Sequence, residues 1–171
     1  HVPKSGGSSI GRLLNAAYGA SYRADYADNP AHPLSQRVLD PGRYFARQEK
    51  MPAEVRCIHG HFHPGKFRIP YHTVLFTMLR HPVDALISWY FFWKQMKRQN
   101  DPLHEYFLDS NLTIVEAAQL PLLRWTLSRT YFEDFDMGRF DVIGRYSDYE
   151  RALNDLSSRI GTPLDANVKD N

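Results

Sequence analysis

Thr73-Val74-Leu75-Phe76-Thr77-Met78-Leu79 is the segment that most limits the fold. It is apolar and β-branched almost without a break, the pattern of a strand buried on both faces. Such a strand belongs in a parallel sheet covered by helices, since a sheet with one wet face alternates polar and apolar residues. The next segment agrees. Pro82 suits the first turn of a helix, and Val83, Leu86, Ile87, Tyr90 and Phe91 recur at helical spacing.

The remaining chain alternates in the same way. His1-Val2 reads as the end of a strand, followed by a turn and a helix over 8–18 with Ile10, Leu13, Leu14 and Ala17 on one face. Residues 18–52 form a long polar excursion with one short helix near 44–49; segments of this kind often carry function. Strands are expected over 55–59 and 140–144, and a turn at His63-Pro64-Gly65. Asn100-Asp101-Pro102 breaks the helix that Pro82 opens, and two or three short helices fill 103–130. Ser147 with Glu150 three residues on has capping-box spacing, so a last helix runs to Ile160 and stops at Gly161. The expectation is one α/β domain over 1–171, with a central parallel sheet flanked by helices on both faces.

Composition removes several function classes. The chain has 171 residues, enough to bury a core without staples. Its net charge of +2 is too balanced for a general nucleic-acid binder, yet it allows a local basic site. Cys57 is the only cysteine, which rules out an intrachain disulfide and points to a cytoplasmic setting. No apolar run is long enough to span a membrane.

Three constellations carry chemistry. Pro3-Lys4-Ser5-Gly6-Gly7-Ser8-Ser9 lies between a strand end and an amphipathic helix. Glycines admit close approach of an anion, the first helical N–H groups point at it, and Lys4 adds a cation. The lysine precedes the glycines, so this is not the common nucleoside-triphosphate loop. The same residues also read as a plain turn that starts a helix. Arg80, at the carboxyl end of the buried strand, lies where open α/β sheets bind ligands, and Ser88 follows eight residues on. An arginine there can grip a phosphate with two parallel bonds, or simply pair with Asp84. The third is Cys57-Ile58-His59-Gly60-His61-Phe62-His63. Strand alternation would put His59, His61 and His63 on one side. They read as a base for proton transfer, as ligands for zinc, or as polar residues bonded locally.

The first two constellations, in this order and spacing, resemble carbohydrate sulfotransferases. His1-Val2-Pro3-Lys4-Ser5-Gly6-Gly7-Ser8-Ser9-Ile10 is similar to their 5′-phosphosulfate loop, and Thr77 to Tyr90 resembles their 3′-phosphate motif. The His59-Gly60-His61 step is similar to the paired histidines of glycan 2-O-sulfotransferases. The resemblance implies a P-loop-like domain and 3′-phosphoadenosine 5′-phosphosulfate as co-substrate, with no metal required. Lys4, Ser5, Gly6, Gly7, Ser8 and Ser9 would hold the 5′-phosphosulfate, and Arg80 and Ser88 the 3′-phosphate. Lys4 would also neutralise the leaving oxygen, with His61 as base and His59 in support. The acceptor would be a glycan or a small hydroxylated molecule. A eukaryotic source would place the enzyme in the Golgi lumen instead. Two residues depart from the pattern: His81 stands where aspartate is usual, and Ala85 where a second arginine is common. The family's basic C-terminal segment has no clear counterpart, Lys169 being the only late cation. The rivals are a zinc hydrolase built on His59, His61 and His63, and a nucleotide-binding module without transferase activity.

Overall fold

The computed structural model describes residues 1–28, 30, 32, 34–98 and 100–165. Lys169 lies outside the described residues. Helix α1 spans Gly7–Tyr18, and strand β1 (Tyr22–Asp25) follows a short turn. Helices α2 (Gln36–Leu39) and α3 (Pro41–Arg47) lead to strand β2 (Cys57–Gly60). Strand β3 is Phe76–Leu79 and helix α4 is Pro82–Gln95. Four short helices come next: α5 (Pro102–Asp109), α6 (Ile114–Ala117), α7 (Pro121–Arg124) and α8 (Arg129–Phe132). Strand β4 (Val142–Arg145) and helix α9 (Tyr149–Ile160) complete the order.

The strands pair in parallel, as the buried run requires, but they do not form one sheet. Among the described residues β1 pairs with β2 and β3 pairs with β4, as two separate two-stranded sheets. The registers run from Tyr22↔Cys57 to Asp25↔Gly60, and from Phe76↔Val142 to Leu79↔Arg145. His1 and Val2 lie at the seam. The His1 backbone nitrogen donates to the Gly60 carbonyl at 2.7 Å, and Val2 is fully buried in a cluster with Tyr131 and Phe132 against which Leu79 packs.

Strand β1 interrupts the excursion read as irregular. Its sequence Tyr-Arg-Ala-Asp has no apolar alternation, and its one buried residue is Asp25. That carboxylate is tolerated because Lys66, itself buried, donates to it at 2.7 Å. Burial of a charge is affordable only with such a partner. Gly60 makes the strand contact possible: a Cβ there would meet the Asp25 backbone oxygen at 1.6 Å.

The main core joins α1, β3 and α9 through Ile10, Leu13, Leu14, Met78, Leu153 and Leu156. A second core packs α4 on α5 and α6 through Tyr90, Trp93, Phe107 and Ala117. The capping box expected at Ser147 does not form. Residues Tyr146–Asp148 make a tight turn, and Asp148 is the N-cap without a side-chain bond. A capping box forms instead at Thr113 and Glu116. Among the described residues no helix is long and apolar enough to cross a membrane.

Candidate active site

The loop before α1 holds its shape at a cost. Lys4 adopts a left-handed φ of 62° and Gly6 one of 81°. A non-glycine residue pays roughly 1–2 kcal/mol there, and strain of this kind clusters at ligand sites. Gly6 caps α1 without a side chain, and the first turn contains no carboxylate. Neither a side-chain cap nor a carboxylate therefore offsets the positive end of the helix dipole. Ser5 is fully buried, and its Oγ has no hydrogen-bond partner among the described residues. Ser8 is exposed and Ser9 is buried.

Arg80 comes to this loop across 76 positions of sequence, with Nη1 donating to the Lys4 carbonyl at 3.3 Å. Its guanidinium lies over the Tyr146 ring at 4.8 Å, and Lys4 Nζ lies over the Phe92 ring at 4.1 Å. Neither cation makes an ion pair among the described residues, so Asp84 does not neutralise Arg80. Burial, and then the charge of Arg80, lower the Lys4 pKa. Two neighbouring cations without a counter-charge are stabilised by any anion that enters. Ser88 is half-buried on α4, and among the described residues it hydrogen-bonds neither Arg80 nor the loop. Ala85 is buried, so an arginine at that position would have to displace core.

The histidines separate into two groups. Strand β2 ends at Gly60, so alternation does not carry His59, His61 and His63 onto one side. His59 is buried, with Nδ1 at 3.3 Å from the Tyr22 hydroxyl and 3.5 Å from that of Tyr26. If the phenols donate, the ring proton sits on Nε2, which is buried without a hydrogen-bond partner among the described residues. The His1 ring stacks on His59 at 4.3 Å and meets His61 edge-on at 4.3 Å. That ring also lies against the glycine-rich loop, because a Cβ at Gly7 would fall 1.9 Å from it. His1 is thus the link between the histidine pair and the loop. His61 is half-buried and borders Tyr26 and Tyr131.

His63 belongs elsewhere. Its Nδ1 accepts from the Gly65 N–H at 3.0 Å, so Nε2 carries the proton and donates to the Glu133 carbonyl at 2.8 Å. Both nitrogens are used in holding the turn. Among the described residues no group of three or more His, Cys, Asp or Glu side chains is arranged to hold a metal ion.

Burial pushes all three imidazoles down, His59 to about 3 and His61 and His63 to about 4. The folded protein then refuses protons that the unfolded chain accepts below about pH 6.5. The stability these rings contribute is fully present above that pH and declines as pH falls, toward about 4 for His61 and His63 and about 3 for His59, by up to about 1.4 kcal/mol per pH unit per histidine. Urea midpoints should drop steeply in that window. A level midpoint down to about pH 4.5 would contradict the burial of these rings.

Two cavities border Arg37, whose guanidinium lies 6.0 Å from the Tyr131 ring, which is itself 6.5 Å from the His61 ring. One, of about 560 Å³, is lined largely by apolar residues with Trp125 and Arg129. The other, of about 460 Å³, has both charges on its wall, Arg37, Arg43, Arg47 and Lys66 beside Asp28 and Glu49. Arg37 borders both, and its Nη1 is buried without a hydrogen-bond partner among the described residues. Arg43 and Tyr44 line the second cavity, whereas Trp93 is in the core.

Sequence reasoning singled out the loop, Arg80 and the His59–His61 pair. It missed His1, Tyr26 and Tyr146 as neighbours of the site. His1 had a signal, being part of the loop motif itself. Tyr26 and Tyr146 had none, since only the strand pairings bring them in. No protein-family model, curated protein or solved structure matches this chain.

Proposed function

We propose that this protein is a sulfotransferase that moves the sulfuryl group of 3′-phosphoadenosine 5′-phosphosulfate to a hydroxyl of a glycan or similar acceptor. The observation that carries the reading is the bond from Arg80 Nη1 to the Lys4 carbonyl. It unites a glycine-rich helix start with an arginine at a strand end, and leaves two cations without a counter-charge. A donor with anionic groups at both its 5′ and 3′ positions needs two such grips.

In this reading the loop from Ser5 to Ser9 and the start of α1 hold the 5′-phosphosulfate. The buried Ser5 hydroxyl gains the partner it lacks. Arg80 holds the 3′-phosphate, with Ser88 drawn in on binding. His61, the more accessible of its pair, takes the proton from the acceptor hydroxyl. The acceptor oxygen forms a bond to sulfur as the bond from sulfur to the bridging oxygen breaks. The electron pair stays on the 5′-phosphate of the departing adenosine 3′,5′-bisphosphate, where Lys4 offsets the charge. The cavity lined by Arg43, Tyr44 and Arg47, with Asp28 and Glu49 also on its wall, receives the acceptor, and this mixture of charges and hydrogen-bonding groups suits a hydroxylated one.

The reading also includes a P-loop-like domain with one central sheet. The track of His1 and Val2, bonded to Gly60 on one side and packed beside Leu79 on the other, is the axis along which the two sheets would join. The test is transfer of labelled sulfate from the donor to a panel of hydroxylated acceptors. Label on an acceptor, with one bisphosphate released per transfer, is expected. A donor that binds and stays intact with every acceptor would favour a nucleotide-binding module instead.

A further inference from the structure

Resting on Arg80 as the grip for the 3′-phosphate, we propose that Tyr146 is the positioning residue that sets the preference for a 3′-phosphorylated nucleotide. The parallel register pairs Leu79 with Arg145. The next residues, Arg80 and Tyr146, therefore leave the sheet side by side at the carboxyl ends of β3 and β4. Ligands of open α/β sheets bind at that edge. The Tyr146 ring lies under the Arg80 guanidinium at 4.8 Å, while the Lys4 carbonyl takes one N–H at 3.3 Å. The plane of the guanidinium is held from its face and from one edge. The remaining donors of its five are left for an anion.

The same ring backs the loop. A Cβ at Gly6 would fall 3.1 Å from Tyr146 Cε2, so the left-handed glycine sits against it. Tyr149 of α9 supports the ring edge-on at 6.4 Å. Tyr146 is 37% exposed, so core packing does not account for its place. It joins the two halves of the donor site, one phosphate at Arg80 and one at the loop. Without the ring, Arg80 keeps only the Lys4 carbonyl and must be immobilised when the nucleotide binds.

The experiment is calorimetric titration of the full chain with adenosine 3′,5′-bisphosphate and with adenosine 5′-monophosphate. Wild type, Tyr146→Ala and Tyr146→Phe are compared, with thermal midpoints measured alongside. Tyr146→Ala should weaken the bisphosphate about tenfold and the monophosphate by less than about twofold, so that the preference collapses. Tyr146→Phe should keep the preference, because the ring face holds the guanidinium. An unchanged preference in Tyr146→Ala overturns the proposal. Equal loss for both ligands also overturns it, since that marks damage to the loop. A wild type that binds neither ligand, or both alike, defeats the sulfotransferase reading, and this inference with it.

Discussion

His61→Ala is expected to slow sulfate transfer by about 10²–10⁴-fold while leaving affinity for adenosine 3′,5′-bisphosphate unchanged. The ring touches neither Lys4 nor Arg80 in the hydrogen bonds of the site, so nucleotide binding should not register its loss. Burial lowers its pKa to about 4, which keeps the imidazole neutral and able to accept a proton near neutral pH. A base that weak would be a poor one by itself. The donor's negative charge, entering beside the histidines, would raise it toward the working range. His59 is less suited, being buried with two tyrosine hydroxyls at its Nδ1. Turnover and bisphosphate affinity measured on the same preparation check the split. Undiminished turnover would move the base to His59 or to His1, whose ring joins the pair to the loop.

Arg80→Ala should weaken adenosine 3′,5′-bisphosphate about a hundredfold, the loss of charge-assisted bonds worth about 1.5–3 kcal/mol. Adenosine 5′-monophosphate should lose far less, because the start of α1 and Lys4 remain. The variant also removes the charge that helps to depress the Lys4 pKa. If the two nucleotides weakened equally, Arg80 would be holding the loop through the Lys4 carbonyl rather than gripping a phosphate.

Much of the site was readable because its parts are local. Gly6, Gly7 and Lys4 sit in one turn, and Arg80 follows a strand marked by its own apolar run. Parallel pairing was legible for the same reason, since a strand apolar on both faces needs cover on both. What eluded sequence reasoning depends on pairing between distant segments. Residues 22–25 hide a strand because their burial rests on the Asp25–Lys66 pair and on the space that Gly60 leaves, not on alternation. The three histidines looked equivalent by spacing. Only the end of β2 at Gly60 and the bonds to Gly65 and Glu133 separate His63 from the others. Ser147 has capping spacing, yet the turn over Tyr146–Asp148 starts the helix one residue later and turns Tyr146 toward Arg80.

The central claim is that Lys4, the helix start and Arg80 form one site for a nucleotide phosphorylated at both ends. Calorimetric titration of the folded chain with adenosine 3′,5′-bisphosphate and with adenosine 5′-monophosphate tests it most directly. The account predicts one bisphosphate per chain, bound more tightly than the monophosphate by at least about tenfold. Absence of bisphosphate binding, or equal affinity for the two, would contradict it.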